Sequence, residues 1–160
     1  MDGLLYPLTA VTALGCALVG GVFFAFSTFV MHALARLPPA QGVAAMQAIN
    51  ATAISFAFML ALFGTGLACA GVAAWALADS GAPYAPHLLA GGGLYLAGVI
   101  AVTIAFNVPR NDALARLEPA SAGAPDAWTR YVAEWTRGNH VRTVAALAAA
   151  ATLTVALGVS

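Results

Sequence analysis

The chain has 160 residues, of which 62% are hydrophobic and only 8% charged, with a formal net charge of zero. A soluble domain carries about a quarter charged residues, so this composition excludes one. Balanced charge without a basic tract gives no indication of nucleic acid as a partner.

Four apolar stretches, at about 8–35, 52–78, 88–106 and 141–159, each approach or exceed the roughly 20 residues that cross a hydrocarbon core of about 30 Å. The expected fold class is all-α: an integral membrane four-helix bundle, one domain over residues 1–160. An additional amphipathic interfacial helix is expected between the third and fourth spans. Ala33-Leu34-Ala35 has the small-x-small form of a signal cleavage site. No basic region precedes the first stretch, however, and it far exceeds the usual apolar run of about 7–15 residues, so it reads as a retained span.

The first span carries Gly15, Gly20 and Gly21 together with Phe23, Phe24, Phe26 and Phe29. Small residues let helices approach closely in lipid, where apolar surface alone does not drive association. The same faces make a homo-oligomer possible. The phenylalanines, continued by Phe56, Phe58 and Phe63, are packing residues or, with Phe26 foremost, the lining for a flat hydrophobic ligand. Cys16 and Cys69 fall at similar depth in antiparallel spans and read as small packing residues, not a disulfide framework.

Leu37-Pro38-Pro39 ends the first helix. Val43, Met46 and Ile49 then recur at helical spacing, predicting a short interfacial helix over 41–49. Asn50 precedes the second span as a helix cap or site residue. Residues 79–86 form a brief turn. The third span ends at Asn107, and the connection 107–140 is the longest and most polar. Within it, 119–125 reads as a flexible turn and Asp126 as the N-cap of a helix over 127–137. Trp128, Tyr131, Val132 and Trp135 share one face; Arg130, Glu134 and Arg137 are spaced for mutual pairing on the other. Such a helix lies on the membrane with its tryptophans at headgroup level, or caps the bundle as a lid. The fourth span, nearly all Ala over 145–151, is expected to be the most enclosed.

All six arginines, Arg36, Arg110, Arg116, Arg130, Arg137 and Arg142, fall in the first and third connections or at their edges, and there is no Lys. Basic loops are retained in the cytoplasm. The expected placement is an inner (cytoplasmic) membrane with the Arg-rich loops cytoplasmic, and both termini, with Asp2 and Asp79, outside.

The same end receives Asn50, Asn107, Asn111, Asn139, His140 and Arg142, with His32 one turn inside the first span. Polar groups near a bilayer are costly, so their clustering suggests a site, although each residue can also be a cap or a snorkelling side chain. Three chemistries are open. His140, of the type that changes charge near neutral pH, can act as a general base, with Asn139 and Arg142 holding a developing oxyanion. His32 and His140 can hold a metal or haem, a weak signal without Cys or carboxylates nearby. Ion-coupled transport is disfavoured, because no span carries a central Asp, Glu or Lys.

Gly21-Val-Phe-Phe-Ala-Phe-Ser-Thr-Phe-Val-Met, Met46-Gln-Ala-Ile-Asn50, Asn107-Val-Pro-x-Asn111-x-x-Leu114 and Trp135-x-x-x-Asn139-His140-x-Arg142-Thr143 together resemble the anthrone-oxygenase-like family of small four-helix membrane proteins. The resemblance covers the whole chain. Its better-understood fungal members oxidise an anthrone to an anthraquinone with oxygen and no dedicated cofactor. It implies a site of Asn50, Asn107, Asn111, Trp135, Asn139, His140 and Arg142, and departs at His32, where relatives often have Pro. The function expected is therefore a membrane oxygenase or oxidase for a hydrophobic enolisable or phenolic molecule that enters from the bilayer. The alternatives are a non-catalytic protein binding a lipid headgroup, small ligand or partner, and a metal- or haem-binding protein.

Overall fold

In the structure, a computed structural model that describes residues 3–159, five helices account for nearly all of the chain. Asp2, counted above with Asp79 on the arginine-free side, lies outside the described residues. Helices α1 (Leu5–Leu34), α3 (Phe56–Ala78), α4 (Ala85–Ala115) and α5 (Ala124–Gly158) are each long and apolar enough to cross a membrane. The short helix α2 (Pro39–Ala53) joins α1 to α3 at the arginine-bearing end. No strand occurs among the described residues. The architecture is that of an integral membrane four-helix bundle, with α5 packed along α1 on one side and α4 on the other, and α3 against α4.

Small residues set the spacing. A Cβ placed on Gly98 would collide with the Ala145 Cβ, and one on Gly92 would come within 2.8 Å of the Cys69 carbonyl oxygen. Cys16 and Cys69 are indeed neighbours, fully buried with sulfurs 3.7 Å apart. This half of the bundle forms one apolar core around Val19, Val72, Leu88, Val99, Ala146, Ala149 and Leu153. The Ala-rich α5 is the most enclosed of the four spans. A second core, at the arginine-bearing end, gathers Met31, Leu34, Val43, Met46, Leu114, Trp128, Tyr131 and Trp135.

That second core corrects the expected interfacial helix. Segment 127–137 does not lie separately on a membrane surface; it is the first third of α5, running unbroken into the fourth span. Trp128, Tyr131 and Trp135 are buried against α2 and the ends of α1 and α4, which agrees with the alternative that the stripe caps the bundle. The apolar stripe was correctly located, but protein surface rather than lipid covers it. Gly42 permits this, since a Cβ there would lie 2.6 Å from the Trp128 ring. Asp126 sits in the first turn of α5, and Gly123 occupies the cap position. Glu134 pairs with Arg110 at 2.9 Å rather than with Arg130 or Arg137.

The second and third spans also differ from expectation. Span α3 begins at Phe56, capped by Ser55, whose hydroxyl oxygen accepts the Phe58 N–H at 3.4 Å, so Asn50 lies in the last turn of α2 and caps nothing. Helix α4 runs through Pro109 to Ala115. The ring of an internal proline clashes with the preceding turn, and a widened π-helical turn over Thr103–Asn107 immediately precedes it and relieves the crowding. Further π-helical turns occur at Phe26–Val30, Leu60–Gly64 and Leu96–Ala101.

Candidate functional site

Arg142 is the centre of the polar cluster. It lies on the inner face of α5 and is 5% exposed. Its Nη2 donates to Asn139 Oδ1 at 2.8 Å and its Nη1 to Thr103 Oγ1 at 3.3 Å. The guanidinium carbon lies 4.2 Å from the Phe23 ring centre and 5.1 Å from that of Trp135. Among the described residues no carboxylate comes within ion-pair distance, and Nε is buried without a partner. Aromatic faces attract a cation but do not cancel its charge. A buried guanidinium without a counter-ion is costly, and this is the most distinctive electrostatic feature of the molecule.

Asn139 is fully buried and wholly satisfied. Its Nδ2 donates to the Phe23 carbonyl at 2.7 Å and to Ser27 Oγ at 2.8 Å, while its Oδ1 receives Arg142. It is therefore a mid-helix clamp between α5 and α1 rather than a cap. Ser27 stands in the widened turn of α1, and its hydroxyl is 3.1 Å from that of Thr143. Two of the π-helical turns thus flank Arg142: one carries Ser27, the other Thr103 and Asn107. Such turns rotate side chains out of the ordinary register and often occur at functional sites.

Asn107 is also buried. Its Nδ2 donates to the Trp135 carbonyl at 3.2 Å, but its Oδ1 has no partner. Gly138 makes this approach possible, because a Cβ there would sit 2.8 Å from that oxygen. One turn towards the chain's polar connection, Asn111 Oδ1 accepts from Trp135 Nε1 at 2.8 Å and from the Tyr131 hydroxyl at 2.9 Å. Asn50 Nδ2 reaches that hydroxyl at 3.4 Å, so α2, α4 and α5 are joined through Tyr131. Phe26 packs against Trp135 with centroids 5.7 Å apart.

The structure therefore brings together Asn50, Asn107, Asn111, Trp135, Asn139, Arg142 and Phe26 of the sequence-derived set. His140 stands apart. It is exposed and lines a groove of about 360 Å³ with His32, Thr136 and Arg137. At about 100° per residue, a helix that turns Asn139 and Arg142 inward turns residue 140 away. Sequence reasoning missed Tyr131, Ser27, Thr103, Thr143 and Phe23 as members of the cluster. Thr103 and Thr143 each stand four residues from an Asn, at 107 and 139, a same-face spacing that signals them. Gln47 was also missed. Its Nε2 donates to the carbonyls of Leu114 and Leu117, both at 2.9 Å, tying α2 to the end of α4.

Beside the cluster, a cavity of about 430 Å³ opens between α1, the end of α2 and the start of α3. Val22, Phe26, Ala48, Ile49, Thr52, Ala53 and Phe58 line it. Its volume is within the range of small-molecule sites, and its lining is almost wholly apolar. Phe26, on its wall, packs against Trp135, whose ring in turn lies 5.1 Å from the Arg142 guanidinium carbon. Phe24, Phe29, Phe56 and Phe63 are exposed on the outside of the bundle, so most of the phenylalanine stripe faces lipid rather than a ligand.

In comparison with known proteins, the anthrone oxygenase family model matches residues 46–152. No curated protein and no solved structure matches the chain.

Proposed function

We propose, from the premise that the chain belongs to the anthrone oxygenase family, that it oxidises a hydrophobic, enolisable aromatic molecule with molecular oxygen. The observation that carries this reading is Arg142, a buried cation with no carboxylate paired to it among the described residues and an unpartnered Nε. A fixed positive charge in a dry site stabilises an oxyanion far more than it does in water. An enolisable ketone supplies one, because loss of the proton beside its carbonyl places negative charge on oxygen. Arg142 receives that oxyanion and Asn139 holds the guanidinium in place. The free Asn107 Oδ1 takes a hydroxyl on the same substrate.

The remaining chemistry belongs to substrate and oxygen. The enolate carbon donates electrons to O2, is oxidised, and forms a carbon–oxygen bond. The resulting peroxide takes up a proton and loses water, leaving a second carbonyl. The proton lost on enolisation is balanced by the one the peroxide takes up, so no net proton is exchanged, and His140 is exposed outside the cluster. The apolar cavity at Phe26 admits the ring system from the bilayer. Orientation follows from the arginines: the loops around Arg36 and Arg116 are cytoplasmic and both termini lie outside.

The test is oxygen uptake by the purified protein with anthrone, read together with the absorbance of anthraquinone. Protein-dependent uptake that disappears in Arg142→Met supports the proposal. A folded protein that leaves anthrone oxidation at the buffer rate, or an Arg142→Met protein as active as the parent, sinks it. Terminal reporter fusions check the orientation, and cytoplasmic signal from both ends would reverse it.

A further inference from the structure

Outside the Arg142 cluster, the groove between the end of α1 and the first half of α5 joins three groups with no assigned work: His32, Arg137 and His140. Among the described residues Arg137 makes no ion pair; Glu134, the partner its spacing suggests, is bound to Arg110. His32 Nδ1 lies 2.7 Å from the Thr28 carbonyl. A carbonyl only accepts, so Nδ1 carries the proton, the ring is oriented, and Nε2 is left free to face the groove. The Thr136 hydroxyl, on the same wall, is buried without a partner.

The lining holds one guanidinium, two imidazoles, a free hydroxyl and no carboxylate. That balance favours an anion over a metal cation. The rest of the lining, Met31, Val132 and Ala133, is apolar. Further along the stripe of α5 that carries Arg137 and His140, Val144 and Leu147 are exposed on the spanning part of the helix. The groove thus has a cationic mouth at the arginine-bearing end and a continuous apolar track leading into the membrane. A free anion uses only the mouth, whereas an anionic lipid uses both. Basic pockets between spanning helices are a recurrent form of headgroup recognition.

We propose that this groove binds the phosphate of an anionic phospholipid, with Arg137, His32 and His140 as its donors and the acyl chains along Val144 and Leu147. The site is separate from the Arg142 cluster and does not depend on the oxygenase reading.

The experiment uses the full chain in detergent, titrated with phosphatidylglycerol, phosphatidylcholine or inorganic phosphate, and read by native mass spectrometry and thermal unfolding. Phosphatidylglycerol should be retained at one copy with at least tenfold preference over phosphatidylcholine, and should raise the unfolding temperature. The double variant His32→Ala, Arg137→Ala should lose that preference, while Arg130→Ala, an exposed arginine that does not line the groove, should keep it. His140→Ala alone should weaken it severalfold. Equal retention of the two lipids, or a preference that survives the double variant, overturns the proposal. Equal stabilisation by inorganic phosphate at the same concentration would show a soluble-anion site and overturn the assignment to lipid.

Discussion

Helix α5 passes through both cores and follows a different rule in each. From Ala145 onward its buried residues are Ala145, Ala146, Ala149, Leu153 and Ala156, and the neighbouring helices come close through Gly20, Gly91 and Gly98. Before Arg142 the buried residues are Ala124, Trp128, Tyr131, Trp135, Gly138 and Asn139, and the neighbours are held off by rings and tied by amides. Backbone approach needs no polar partner and leaves no room for a ligand. Ring-and-amide packing leaves cavities and unsatisfied atoms. The first region is built to hold the bundle together, whereas the second has the irregularities that binding requires. Arg142 sits at the junction, where a low-dielectric surround makes its charge most consequential.

The sharpest way to break this comparison is at the junction. Arg142→Met should reduce turnover about 10²–10³-fold, the scale of losing one oxyanion donor. The unfolding temperature should hold or rise, because replacing a buried charge with an apolar side chain of similar volume is often neutral or stabilising. Oxygen uptake and a thermal melt on one sample read both. A fall in stability matching the fall in activity would make Arg142 structural.

The alanine region should respond in the opposite way. Gly98→Val, overlapping Ala145, should destabilise the bundle by about 1–3 kcal/mol, as overpacking does. Protein that remains folded should keep its turnover, and a selective loss of activity would extend the site past the junction. At the aromatic region, Trp135→Phe keeps most of the ring but removes the donor to Asn111. A cost of about 1 kcal/mol in stability is expected, with less than tenfold in turnover; no change in either would remove Asn111 and Trp135 from the site. His140→Ala should have the smallest effect, within about threefold in turnover against the roughly 10²–10⁴-fold expected of a general base. A loss in that larger range would return the base role to His140.

Four spans, the small-residue packing and the polar end were legible in composition and spacing. The boundaries were less so, for identifiable reasons. The third span read as ending at Asn107, where the apolar run stops, but a π-helical turn over Thr103–Asn107 lets the helix continue through Pro109 to Ala115. The stripe Trp128, Tyr131, Trp135 was visible, but periodicity reports an apolar face without saying whether lipid or protein covers it. Six of the seven motif residues converge in space. His140 does not, since adjacency to Asn139 and Arg142 in sequence becomes opposition on a helix. The unpartnered Arg142 Nε and Asn107 Oδ1 could not be read from any residue pattern, because a missing partner is a property of the packed state alone.

At about 1.5 Å per residue, the 35 residues of α5 extend roughly 52 Å, about 20 Å more than a hydrocarbon core. One hydrogen-bond ladder therefore runs from water into lipid without a joint. Amide hydrogens around Tyr131 and Trp135 should exchange slowly, because opening them locally requires fraying inward from Ala124 through the buried aromatic contacts. The connection after α2 is the opposite case: Ile54 and Ser55 are exposed and interrupt the ladder, so exchange should be fast there. Asn50, near the end of α2, bonds the Tyr131 hydroxyl at 3.4 Å, so the slow and fast regions meet close to that contact.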